Sequence, residues 1–228
     1  MQKIWFKLSK RTIKQDIFIL LLVLVLLLFT PINTNIDLSH FLYMSTSLGL
    51  AIFVPYWIYR NNKQTHISFH FKLDSGWDRN KYLYILLGGI IGYLIFPFYF
   101  STTGAHLNWP GPNDPTGIFL LFLGTNALGI WDELFFVNTL LGIFRRYVNF
   151  WYANVLQSIF WTIFLFELGF VDWIVPVIFF FALLQGYIFK LFHSLGFLIA
   201  IHLTVDLFLF LAILDAHGIM PFDMFITN

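Results

Sequence analysis

Four ionisable side chains that fall inside long apolar runs are the first candidates for chemistry in this sequence. His202 and Asp206 are four residues apart, and Asp132 and Glu133 are adjacent. On a helix, residues four apart lie on one face, so His202 and Asp206 can point at the same object. Charged residues within membrane spans usually face the bundle interior and mark an ion, proton or catalytic site. The sequence therefore predicts such a site, although for His202 and Asp206 an interhelical hydrogen bond that only stabilises packing is the alternative.

The adjacent acids Asp132 and Glu133 cannot both point at that object. Consecutive helical residues diverge by about 100°, so we expect one of them to face it while the other supports it or turns to a neighbouring helix. At a rise of about 1.5 Å per residue, Glu133 lies roughly 18 Å above Arg145, and Asp206 lies roughly 18 Å above Ser194. The two helices can thus present carboxylates at matching depth.

A fifth charge, Glu167, fits this arrangement less well. Counted from Asn149, it lies roughly 27 Å above the inner boundary of its helix, which is about two turns too high unless the helix tilts. Gln157 on the same helix lies nearer the required level. Two interpretations of Glu167 stay open: a member of the site, or a carboxylate at the membrane interface.

The composition determines what kind of chain must position these residues. Of its 228 residues, 59% are hydrophobic and only 11% are charged, whereas a soluble domain carries roughly 25% charged residues. The chain has no cysteine and a net charge of +1, which excludes disulfides and thiol chemistry and gives no basic surface for nucleic acid. We predict an all-α polytopic membrane protein, one transmembrane domain over residues 1–228, in contact with membrane lipids.

Seven apolar runs predict seven transmembrane helices. They span Ile17–Ile32, Phe41–Tyr59, Tyr82–Phe100, Gly117–Phe144, Phe150–Leu168, Trp173–Phe189 and Leu195–Leu214. The basic clusters all fall on one side of such a bundle: Lys3, Lys7, Lys10, Arg11 and Lys14, then residues 60–81, then Arg145 and Arg146, then Lys190. The positive-inside rule then predicts a cytoplasmic N-terminus. Gly88, Gly89 and Gly92 have a small-residue spacing that favours close helix packing.

The acidic and histidine motifs resemble those of the CPBP intramembrane proteases, the CAAX-protease or Abi family, which includes the type II CAAX prenyl endopeptidases. That family carries EExxxR on one membrane helix, FxxxH on the next, and HxxxN or HxxxD on a later one. Asp132, Glu133 and Val137 stand at the first motif, with Val137 in place of arginine. His202 and Asp206 match the third. The resemblance covers about residues 117–211.

The second family motif lacks its histidine in this sequence. The register we favour places Ile163 at the phenylalanine position and Glu167 at the histidine position. The missing arginine and histidine favour an alternative function: a catalytically impaired relative that acts as a membrane immunity or scaffold protein. A further alternative, from the buried carboxylates alone, is an ion or proton carrier.

What the resemblance implies is hydrolysis of a peptide bond in or near the membrane, with a peptide or protein substrate and water activated by intramembrane carboxylates. Glu133 is the favoured base, and the His/Asp motif positions water or stabilises the oxyanion. A divalent metal, Zn, Mn or Fe, is an alternative way to activate water. We expect an integral protein of a bacterial plasma (inner) membrane. The predicted catalytic residues are Asp132, Glu133, Glu167, His202 and Asp206, and the predicted metal ligands are Glu133, His202, Asp206 and Glu167.

Overall fold

The computed structural model describes residues 10–62, 67–73, 76–221 and 224–225. These residues form an all-α structure of seven helices and a short 3₁₀ turn, Ala105–Asn108. The helices are α1 (Lys10–Leu28), α2 (Leu38–Asn61), α3 (Arg79–Thr103), α4 (Pro115–Phe144), α5 (Phe150–Glu167), α6 (Ile174–Phe192) and α7 (Leu195–Ala216).

Within the described residues, five of these helices are long and apolar enough to cross a membrane: α2, α3, α4, α6 and α7. The chain is thus an integral membrane protein. The predicted α1 and α5 spans exist as helices but do not meet that criterion. In α5 the reason is its composition, because Asn154, Gln157 and Glu167 interrupt the apolar run. The seven crossings and the cytoplasmic N-terminus stay predictions, and Lys3 and Lys7 lie outside the described residues.

Side-chain caps fix where several helices begin. Asp114 accepts a hydrogen bond from the Gly117 backbone N–H at the start of α4, and Pro115 occupies the first turn. Asn149 caps α5 and Ser194 caps α7 in the same way. Such caps satisfy backbone donors that the first helical turn leaves free. They set the phase of the helices that carry the candidate residues.

Helix α4 contains a π-helical segment, Glu133–Leu140, which the sequence did not predict. The Thr139 hydroxyl donates to the Leu134 carbonyl five residues earlier, at 2.8 Å, in keeping with this wider winding. Short π segments are frequent at functional sites. Here the segment begins at one of the predicted site residues and changes the direction in which every later residue of α4 points.

The helices that carry the candidate residues are central. Among the five candidate spans, α4 and α7 bury the largest share of their residues. α7 packs against both α3 and α4, while α5 packs against α6. The glycine face of α3 allows the α3–α7 approach: a Cβ on Gly89 would lie 3.1 Å from Thr204 Cγ2, and one on Gly92 would lie 3.2 Å from Phe208 Cβ. The predicted close packing is confirmed.

A second buried charge cluster joins α1 to the bundle. Asp16 of α1 is fully buried and pairs with Arg146, whose Nη1 lies 2.8 Å from Asp16 Oδ1. The hydroxyls of Tyr59 and Tyr147 also donate to the Asp16 carboxylate, at 3.0 and 2.6 Å. Burial, followed by the hydrogen bond to Asp16, raises the pKa of Tyr147. The cluster fixes the end of α4 against α1 and α2.

Candidate active site

The site centres on the imidazole of His202, which is surrounded by three carboxylates. His202 Nδ1 lies 2.9 Å from Glu133 Oε1, a hydrogen bond between α7 and α4. On the other side of the ring, His202 Nε2 lies 3.6 Å from Asp206 Oδ1 and 4.0 Å from Asp132 Oδ2. The four side chains that the spacing placed on matching faces and at matching depth therefore meet.

These four residues are almost completely buried. Glu133 has no exposed surface, and Asp132, His202 and Asp206 are 2%, 5% and 6% exposed. Each carboxylate has one buried oxygen without a hydrogen-bond partner among the described residues: Asp132 Oδ1, Glu133 Oε2 and Asp206 Oδ2. Unpaired buried carboxylate oxygens are costly. The arrangement thus leaves strong acceptors free for a ligand or a reacting water.

The two adjacent acids, Asp132 and Glu133, differ in their position relative to a cavity of about 260 Å³. Asp132, Asp206 and His202 line it, whereas Glu133 lies on the far side of the His202 ring and is not part of its wall. One acid thus faces the reaction space while the other supports the histidine, as the 100° divergence requires. The geometry places Asp132 on the cavity rather than Glu133, the base favoured from sequence.

Gly129, one turn before Asp132 on α4, makes room for the Asp206 carboxylate. A Cβ at this position would lie 1.9 Å from Asp206 Oδ2 and 3.1 Å from His202 Cδ2. Any larger residue would displace one of the two side chains. Sequence reasoning missed Gly129, although its spacing of three from Asp132 puts both on one helix face.

Two aromatic rings hold the imidazole from its remaining sides. The Trp161 ring of α5 is tilted against His202, with centroids 5.5 Å apart, and the Phe181 ring of α6 meets it edge-on at 5.3 Å. Trp161 is fully buried, and its indole nitrogen has no hydrogen-bond partner among the described residues. Because Gln157 and Trp161 have the four-residue spacing of the second motif, this register fits the site better than Ile163 and Glu167. Sequence reasoning missed Trp161 because its side chain carries no titratable group.

The structure does not bring Glu167 to the other predicted residues. It is the last residue of α5, is exposed, and borders a different cavity, between α1, α4 and α5. The register of α5 is the physical reason, since the helix turns Trp161 and Gln157 inward and Ile163 and Glu167 outward. This location matches the interfacial interpretation of Glu167.

The predicted metal ligands do not fit a metal as they are arranged. Among the described residues, no group of three or more His, Asp or Glu side chains is placed to hold an ion. Glu133 meets Nδ1 of His202 while Asp206 faces Nε2, so the two carboxylates lie on opposite sides of the ring. Trp161, whose indole nitrogen only donates, offers no ligand in place of the missing histidine.

Comparison with known proteins agrees with the motifs. Residues 114–208 match the family model described as Type II CAAX prenyl endopeptidase Rce1-like. No curated protein and no solved structure gives a significant match. Over this matched segment the chain is similar to the type II CAAX prenyl endopeptidase (CPBP) family, as its motifs predicted.

Proposed function

We propose that this protein is an intramembrane endopeptidase in which Asp132 activates water. The convergence of the buried side chains of Asp132, His202 and Asp206 on one cavity is the observation that carries the proposal. The family implies a peptide substrate. A carboxylate in a site that excludes bulk water is a suitable general base when it lies within reach of the water that it deprotonates.

The role of each carboxylate depends on which side of the His202 ring it occupies. Glu133 accepts a hydrogen bond from His202 Nδ1–H and fixes the ring, which turns Nε2 toward Asp206 and Asp132. The separations from Nε2 to these carboxylates exceed a direct hydrogen bond, so all three groups remain available to a water in the cavity beside them. Asp132 and Asp206 each supply an unpartnered oxygen that can accept from that water.

Hydrolysis of the peptide bond then proceeds through a tetrahedral intermediate. Asp132 takes one proton from the water while the water oxygen forms a bond to the carbonyl carbon of the scissile peptide. When the tetrahedral intermediate collapses, its C–N bond breaks and Asp132 returns the proton to the leaving amine. His202 and Asp206 hold the water in line for attack, which is the positioning contribution to the rate.

The test uses purified protein in phospholipid vesicles with a panel of internally quenched fluorescent peptides. The panel contains single-span apolar peptides and peptides with a C-terminal CAAX sequence, each of the latter with and without a farnesyl group. We expect the wild-type protein to cleave at least one peptide, and Asp132→Asn to lower kcat at least about 100-fold. Asp172→Asn, at an exposed acid outside the cavity, is the matched control and should leave kcat unchanged.

A second function is favoured by one feature of the site. Val137, fully buried, replaces the arginine of the first motif, and in the register that fits the site Trp161 takes the place of the second motif's histidine. A family member without hydrolytic activity that binds a membrane partner would fit both replacements. Failure of the wild-type protein to cleave any peptide of the panel, with the fold intact by circular dichroism, would favour this function over the protease.

A further inference from the structure

Gln185 on α6 is a buried amide that the proposed chemistry does not use. Its side chain is 1% exposed and lines the cavity that contains Asp132, His202 and Asp206. Neither Oε1 nor Nε2 of Gln185 has a hydrogen-bond partner among the described residues. An unsatisfied buried polar group destabilises the folded protein, so a glutamine at this position is explained by a ligand that satisfies it.

The neighbouring amides hold the backbone on which Gln185 stands. Gln157 Nε2 of α5 donates to the Ala182 carbonyl at 3.1 Å and to Asn154 Oδ1 at 2.9 Å. Asn154 Nδ2 in turn donates to the Leu183 carbonyl at 2.9 Å. These bonds fix α6 just before Gln185 while leaving its side chain free, so the amide is presented to the cavity from a rigid support.

The cavity wall indicates what kind of ligand Gln185 would meet. Most of its lining is aliphatic or aromatic, and the hydroxyl of Thr125, another polar residue in the wall, is already bonded to helix carbonyls. A primary amide carries one acceptor and a donor group in one plane. A peptide group in an extended segment offers the complementary pair, a backbone N–H and a backbone C=O.

We propose that Gln185 hydrogen-bonds the backbone of the peptide substrate and thereby places the scissile bond beside Asp132 and His202. This inference rests on the proposed function, because it names a substrate-binding residue of the same cavity. Because Gln185 binds the backbone, it does not discriminate between substrate side chains at this position. Gln185 therefore favours an unwound, extended substrate segment over a helical one, because the backbone groups of a helix are already hydrogen-bonded.

The first test is kinetic and uses the panel peptide that is cleaved fastest. Gln185→Leu keeps a similar volume and removes the amide, and we expect it to raise KM about tenfold, the loss of roughly 1.4 kcal/mol, with kcat changed less than twofold. Thr162→Val, which removes a helix-bonded hydroxyl outside the cavity, is the control and should leave KM unchanged. An unchanged KM in Gln185→Leu would overturn the inference.

A second measurement separates substrate contact from a structural effect. Peptides in which one backbone amide at a time, away from the scissile bond, is replaced by an ester lack one N–H donor. One ester position should raise KM for the wild-type protein and have no further effect on Gln185→Leu, because both changes remove the same bond. Additive effects at every position would contradict a direct contact, whatever the stability of the variant.

The inference remains testable if no peptide is cleaved. Binding of the fluorescent peptides is then compared between Asp132→Asn and the double variant Asp132→Asn with Gln185→Leu. A Kd about tenfold weaker in the double variant supports the contact. Equal affinities, or no binding by either protein, overturn it, whereas the absence of cleavage alone counts only against the proposed function.

Discussion

At the scale of single residues, the position of the Asp206 carboxylate depends on a missing side chain. Gly129 leaves the space that Asp206 Oδ2 occupies, so we expect Gly129→Ala to push Asp206 or His202 out of place. A displacement of about 1 Å at reacting groups costs on the order of 100-fold in rate. The variant should therefore lose about 100-fold in kcat while still folding, measured with the fluorescent peptides and by thermal unfolding in detergent.

Gly49→Ala provides the matched control for that prediction. Gly49 also lies within a helix, but a Cβ there would meet no atom within 4 Å. This variant should keep full activity and gain about 0.5–1 kcal/mol in stability from the helical preference of alanine. Full activity in both variants would show that the space beside Gly129 does not determine the site geometry.

The sequence predicted most of the site at this scale because charge inside an apolar span is a strong signal. Four of the five candidate residues, Asp132, Glu133, His202 and Asp206, meet around one ring. The residues that sequence reasoning missed carry no charge: Gly129, Trp161 and Gln185. Their roles depend on which atoms lie opposite them on neighbouring helices, and no spacing within one helix reveals that.

At the scale of elements, the start of α3 gives the fold a dependence on pH. The Asp78 side chain accepts hydrogen bonds from the Lys81 backbone N–H and from Lys81 Nζ. The hydrogen bond from the Lys81 ammonium holds the pKa of Asp78 below its ordinary value, with a smaller contribution from the backbone bond. A lowered folded-state pKa stabilises the protein above the ordinary value of about 3.9 and stops doing so as pH falls through the lowered one.

Asp78→Asn isolates this effect, because asparagine keeps a capping oxygen and removes the charge. We expect wild type to exceed the variant in thermal stability near neutral pH, and the difference to shrink between about pH 5 and pH 3. Melting curves of both proteins in one detergent across this range measure it. Curves that stay parallel down to about pH 3 would show that the charge of Asp78 does not stabilise α3.

The element boundaries also show the limit of hydropathy as a guide. Both ends of α7 follow from the sequence to within two residues, because Ser194 caps the start and the apolar run ends near Ala216. The winding of α4 does not follow, since Glu133–Leu140 is as apolar as a regular helix would be. Hydropathy and single-helix periodicity therefore do not distinguish this π segment from regular winding.

At the scale of the whole molecule, the absence of cysteine makes the orientation directly measurable. Single cysteines at Lys190 and Asn113, both exposed, lie on opposite sides in the predicted topology. We expect a membrane-impermeant maleimide to label Asn113→Cys from outside sealed cells and Lys190→Cys only after permeabilisation. The same labelling at Lys14 and Asn33 tests whether α1 crosses. Labelling of all four positions from outside would contradict the predicted bundle.

The π segment of α4 also couples two distant parts of the molecule. One end of the segment carries the acid that supports His202, and beyond the other end, after the four residues 141–144, come Arg145 and the Arg146 that pairs with Asp16. A π segment takes up one residue more than ordinary winding does, so deleting a single residue between these ends would restore ordinary winding and leave the helix beyond it in nearly the same phase. The extra residue thus widens the helix beside the site, while Glu133 stays against His202 and Arg146 stays against Asp16.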